Sequence, residues 1–215
     1  MNAPVFADIR RIIREELRAL RLAELGVVQE IHPHADAGDD DNHACTVRLR
    51  DTGLVLARVP VATPRKGLAA IPDVGDLVLV QFVGGEANAP IIIGSLYNDA
   101  DRPPPNAEGE VVLVLPVDAA EGEGVQVKLA SAGESSATLT LGSSLKIALK
   151  DDDPVVEIDV GDGSATLKIE SDGTLTITSG RAINIEGGEI SLKGTTIKAE
   201  ADGEITLKGA IINLN

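Results

Sequence analysis

The sequence predicts an all-β chain headed by a single helix, and three observations carry that prediction. Aromatic residues are nearly missing, with two Phe, one Tyr and no Trp in 215 residues. Ordinary cores draw much of their buried area from such rings, so this chain must pack with Val, Ile, Leu and Ala. Its 22 glycines, with Thr, Val and Ile concentrated in the second half, favour short strands broken by turns. Beyond residue 125, pairs of apolar residues separated by one polar residue recur to the end of the chain. That alternation marks strands with one buried face.

Composition also excludes several function classes. No apolar run approaches the ~20 residues of a membrane helix, and the first residues lack the apolar stretch of a signal peptide. The single Cys45 rules out an internal disulfide framework and a cysteine-based zinc site. Net charge is −15 and unevenly spread: residues 1–105 carry 15 acids and 11 bases, residues 106–215 carry 19 and 8. Such a surface repels phosphate backbones, so nucleic acid is not an expected partner. It also discourages edge-to-edge pairing of strands.

Residues 1–25 form the first unit, with an amphipathic helix predicted over 5–25. Phe6, Ile9, Ile13, Leu17 and Leu20 recur at steps of three and four and share one face. Arg10, Arg11, Arg14, Glu15, Arg18 and Arg21 fill the remainder. The stripe suits either a short self-associating bundle or docking on the next domain.

Residues 26–105 read as a compact β domain. Candidate strands are Gly26–Ile31, Ala44–Arg50, Val55–Pro60, Asp76–Phe82 and Pro90–Gly94, with polar or Gly-rich turns between them. Five short strands suit a small closed barrel of the OB-fold plan. Pro103, Pro104 and Pro105 then form a stiff linker.

Residues 106–215 are repetitive. The pairs Leu167/Ile169, Leu175/Ile177, Ile183/Ile185, Ile190/Leu192, Ile197/Ala199, Ile205/Leu207 and Ile212/Leu214 follow one another at steps of 7 or 8, with glycines in the intervals. Upstream, Val127/Leu129, Leu139/Leu141, Ile147/Leu149 and Ile158/Val160 continue the alternation at longer, hairpin-like steps. A flat sheet of this kind would expose its aliphatic face and two edges. One chain can coil into a solenoid, or three chains can wind into a triangular prism. The expected form is an intertwined triple-stranded β-helix in a homotrimer, because a narrow three-sided core excludes aromatic rings.

Certain residues carry a family resemblance. The run Ile71-Pro72-Asp73-Val74-Gly75-Asp76-Leu77-Val78-Leu79-Val80-Gln81-Phe82, then Gly84-Gly85, Pro90-Ile91-Ile92-Ile93-Gly94-Ser95-Leu96-Tyr97-Asn98 and Pro103-Pro104, resembles the OB domain of contractile-tail spike proteins. These are phage baseplate assembly protein V and the VgrG spikes of type VI secretion. The resemblance implies a trimeric OB barrel beneath a hub and an intertwined β-helical needle. With about 25 residues ahead of the barrel and only the proline linker after it, the expectation is a minimal spike whose hub is a separate baseplate protein. The stripe Phe6, Ile9, Ile13, Leu17 and Leu20 would attach to that hub. In such particles a blunt needle is capped by its own metal-bound apex or by a separate PAAR-repeat protein. Residues 106–215 contain no His or Cys, so the expected partner is a PAAR-type tip bound through Ile211, Ile212, Asn213, Leu214 and Asn215. The resemblance also implies assembly in the bacterial cytoplasm into a phage-tail-like particle and transient contact with a target membrane.

Chemical motifs are few. His32-Pro33-His34 has the H-x-H form that can grip a metal, but it lies in the first barrel loop and reads as a partly exposed pair. Asp36, Asp39, Asp40 and Asp41 suggest calcium, yet Val47 or Arg50 stands where an EF-hand needs its closing Glu. The stretch Asp36–Asp41 therefore reads as a solvated loop, and no metal or cofactor is expected. No G-x-S-x-G elbow, P-loop or paired-carboxylate cleft is recognisable, so no catalytic residue is expected. The alternative function is an OB-fold oligosaccharide or nucleic-acid binding module on a β-solenoid stalk. Such a module needs stacking rings and, for nucleic acid, a basic groove. The barrel offers only Phe82 and Tyr97. The favoured reading is a structural spike that transmits force.

Overall fold

The computed structural model describes residues 3–120 and 122–213, apart from the side chains of 3–5, 7 and 16–19. Helix α1 (Ala3–Ala19) has apolar and charged residues on opposite faces. It stops six residues short of the 5–25 span expected from spacing. Strand β1 already begins at Glu24, and the chain bends at Leu20 and leaves the helix over residues 20–23.

Five strands follow: β1 (Glu24–His32), β2 (Ala44–Leu49), β3 (Val55–Pro60), β4 (Leu77–Phe82) and β5 (Pro90–Leu96). They pair antiparallel in the order β3-β2-β1-β4-β5. A parallel bridge from Val61 to Ile92 and the bond from Ala62 N–H to Ile92 O (2.8 Å) join the outer strands and close the barrel. Register shifts in β1, β2 and β4 supply the bends that closure of a small sheet requires. Alternate residues point inward: Val28, Cys45, Val47, Leu49, Val59, Val78, Val80, Phe82 and Ile92 are fully buried together. Cys45 is one of these core residues, and burial pushes its thiol up to about 11, so it stays protonated and inert.

The second sheet comprises β6 (Glu110–Leu115), β7 (Val125–Ala130), β8 (Ser136–Leu141), β9 (Leu145–Lys150), β10 (Val156–Val160), β11 (Ala165–Ile169) and β12 (Leu175–Ser179). Each strand pairs antiparallel with the next, a seven-stranded meander. Within one chain, then, the expected β-helical region opens with hairpins up to Ser179. Among the described residues no strand and no backbone–backbone hydrogen bond lies beyond Gly180. Among the described residues the apolar pairs from Ile183 onward, expected as strands, find no partner strand in their own chain.

The barrel core makes one clear demand. Phe82 is its largest buried side chain, and Phe82→Ala should cost about 3–5 kcal/mol. Urea titration followed by circular dichroism should show the barrel transition move to lower urea. The adjacent Val83→Ala, at an exposed position, should leave it in place.

Candidate functional site

Helix and barrel meet at a small joint. Arg21 N–H donates to Gly85 O (3.0 Å), its guanidinium lies 5.3 Å from the centre of the Phe82 ring, and Nη1 stands 3.7 Å from Glu24 Oε1. Gly85 has φ +81, and an added Cβ would come 2.7 Å from Leu20 Cδ2, so the close approach of Leu20 needs glycine. Leu20 therefore lies past the helix end against the barrel. Phe6, Ile9 and Ile13 remain on α1 with about half their surface exposed, as does Ile12, which the predicted stripe omits. The Leu17 side chain lies outside the described residues. This joint escaped sequence reasoning, because nothing in the spacing pairs residue 21 with residues 82 and 85.

The acidic loop is held by its own donors. Asp39 accepts hydrogen bonds from Ala35 N–H (3.0 Å) and Asp41 N–H (2.7 Å), and these hold its carboxyl below the usual range. Asp36 accepts from Gly38 N–H (2.8 Å), and the Asp41 carboxylate pairs with Arg58. His34 Nδ1 lies 3.0 Å from Asp41 O, while His32 Nε2 lies 3.0 Å from Thr46 Oγ1. The two rings of the H-x-H motif thus engage different partners.

Where barrel meets meander, Asp73, Asp76, Asp101, Tyr97, Val114 and Val117 line a cleft of about 250 Å³. Asp76 accepts from Asp73 N–H (3.0 Å), and Asp101 accepts from Asn98 Nδ2 (2.8 Å). Burial raises the Asp76 carboxyl. The bond from Asp73 N–H opposes that rise, and the charges of Asp73 and Asp101 add to it.

The largest feature is the face of the meander. Strand register aligns Leu113, Val127, Leu139, Ile147, Ile158, Leu167 and Ile177 in one row across all seven strands. A second row runs Val111, Leu129, Ala137, Leu149, Val156, Ile169 and Leu175, and a third from Leu115 to Ala165 is also aliphatic. Leu113, Leu149, Leu175 and Ile177 are each about half exposed, so nothing among the described residues covers this face. The opposite face is polar, with ion pairs Lys128–Glu110 (2.6 Å) and Lys168–Glu157 (3.1 Å). Past Gly180, Ile183, Ile185, Ile190, Leu192, Ile197, Ile205 and Leu207 are likewise exposed. The tail repeats one corner geometry. A Cβ on Gly187, Gly194 or Gly209 would lie 3.3–3.4 Å from the carbonyl oxygen two residues on. Of the predicted tip residues, Ile211, Ile212 and Asn213 are exposed and outside any strand. Leu214 and Asn215 lie outside the described residues.

No helix is long and apolar enough to cross a membrane among the described residues. Residues 36–97, which include β2 to β5 and the connecting loops, match the model of the Type VI secretion system/phage-baseplate injector OB domain. No curated protein matches the chain.

The cleft yields a signed pH prediction. A carboxyl raised on folding costs stability at neutral pH, and that cost fades as pH falls through the raised folded value and is gone below the unfolded value near 3.8. Asp76→Asn keeps an oxygen for Asp73 N–H and removes the charge. It should raise the melting temperature by about 2 °C at pH 7 and leave it nearly unchanged at pH 3, as scanning calorimetry at the two pH values can check.

Proposed function

We propose that this chain, a member of the baseplate spike family by its injector OB domain, is the central spike of a contractile injection particle and acts mechanically, without catalysis. The supporting observation is the uncovered aliphatic face: three rows across seven strands, continued by a tail of exposed apolar pairs. A surface of that extent in water marks an association site. Three copies around a threefold axis cover all the faces against one another, and a closed symmetric trimer leaves no complementary patch free. Pulling the copies apart would expose the whole aliphatic core and break the hydrogen bonds between chains. Such an object can carry an axial push onto a small area of a target membrane without unfolding.

Two segments of the chain fit the neighbours a spike needs. Helix α1 presents Phe6, Ile9 and Ile13 toward a separate baseplate hub. The segment 211–215, in which Ile211 and Ile212 are exposed, would bind a PAAR-type tip protein through that apolar surface.

Light scattering coupled to size exclusion should give about 67 kDa, three times 22.3 kDa. A folded 22 kDa species overturns the spike reading. Co-expression with a PAAR-type protein should retain the tip on the full chain and lose it on a chain ending at Gly209. Equal capture by both removes the assigned role of residues 211–215.

A further inference from the structure

The tail after Gly180 carries a second pattern beside its apolar pairs. Its units 182–186, 189–193, 196–200 and 204–208 each place one polar residue between two apolar positions and a charged residue at the last position, while the first position is Ala182, Glu189, Thr196 and Glu204 in turn. The last position of successive units reads Glu186, Lys193, Glu200 and Lys208, so the sign alternates along the whole column. These residues are exposed and lie among described residues that make no backbone pairing with their own chain.

The alternation discriminates between ways of stacking. If the tail continued the antiparallel meander, hairpin pairing would oppose Glu186 to Glu189 and Glu200 to Glu204, two like-charge pairs. Like charges directly opposite destabilise a sheet. The meander itself does the reverse: Glu157 faces Lys168 and Lys146 faces Asp159 in register, and the Lys168–Glu157 pair closes to 3.1 Å. A solenoid of one chain with three strands per turn would bring Glu186 to Lys208 and give Glu200 no laddered partner of opposite charge. Parallel stacking of each unit on the preceding unit of a neighbouring copy gives three opposite-charge contacts: Glu186 with Lys193, Lys193 with Glu200, and Glu200 with Lys208. Threefold winding produces that neighbour relation, because each chain advances one face per repeat and so lays its next unit over the previous unit of the adjacent copy.

We propose that Glu186, Lys193, Glu200 and Lys208 form an intermolecular ion-pair ladder that fixes the direction and register in which copies of this chain stack. The partner is a second and third copy of the chain itself, and the proposal rests on the reading of the chain as a homotrimeric spike. Aliphatic pairs alone cannot set register, since each Ile/Leu pair is much like the next and a slip by one unit buries nearly the same area. A slip by one unit in the ladder places Glu on Glu and Lys on Lys. The charged column thereby supplies the specificity that the uniform core lacks.

Two charge variants of the full-length chain test this. Glu186→Lys with Glu200→Lys makes the column all positive. Adding Lys193→Glu and Lys208→Glu inverts every sign, restores alternation and leaves net charge at its natural value. The half-inverted chain should melt about 5 °C below the wild type at low salt, a gap that narrows in 1 M NaCl. The fully inverted chain should melt with the wild type. If all three melt together while light scattering gives a trimer for each, the ladder is wrong and the spike reading stands. A monomeric wild type overturns both. Should the half-inverted chain fail to fold, Lys193→Cys with Glu200→Cys provides a geometric check. Oxidation should join copies into covalent multimers on a denaturing gel. An intrachain bond in the chain carrying Glu186→Cys with Glu189→Cys, running as a monomer, would instead establish the antiparallel hairpin and overturn the ladder.

Discussion

Among the described residues no second layer covers the aliphatic face of the seven-stranded sheet, and the rest of the molecule is arranged around that constraint. Folded domains bury sheet faces against another layer, and the barrel meets the rule by closing on itself. The meander does not: among the described residues its seven strands are followed by a tail with the same one-sided pattern. On the proposed trimer reading, its cover comes from copies of the chain. Composition follows from that need: all three aromatic residues, Phe6, Phe82 and Tyr97, precede the linker. A face to be packed against copies of itself favours uniform Val, Ile and Leu, whose small, similar shapes repeat along an axis.

The barrel is the self-sufficient part. Nine residues bury completely around Phe82, and the Val61–Ile92 bridge removes the edges that an open sheet of five strands would expose. Its outer attachments are polar and specific where the meander's are apolar and repetitive. Arg21 lies against the Phe82 ring and bonds to Gly85, tying the helix exit to the same strand end that anchors the core. The orientation of the chain leaving α1 is thereby coupled to barrel packing.

Much of this was legible in sequence, for physical reasons that also explain the remainder. Strand period is two whatever the partner, so the five barrel strands emerge within two residues of their observed ends. The helix was overrun because Leu20 continues the three-and-four spacing, whereas its position is set by a tertiary contact with Gly85. Alternation alone does not separate a meander from a β-helix. The distinguishing signals are step length, 9–15 residues between strand starts up to β12 against 7–8 afterwards, and the sign of the charges that each pairing brings together. The Asp73, Asp76 and Asp101 cleft was not legible, because its carboxylates come from separate turns that only the closed barrel draws close.

Net charge adds the last constraint. Three copies would carry −45 in total, three times the chain's −15, which works against association. Exposed charges more than about 8 Å apart are screened at physiological salt, so only near neighbours matter. In the meander those neighbours are opposed in sign, as Lys146 with Asp159 and Glu157 with Lys168 are. The remaining acids crowd into turns such as Asp151, Asp152 and Asp153, where they are exposed. In the meander the excess negative charge therefore falls largely on turns, away from the paired strands. There it does not oppose the contacts that hold the sheet together.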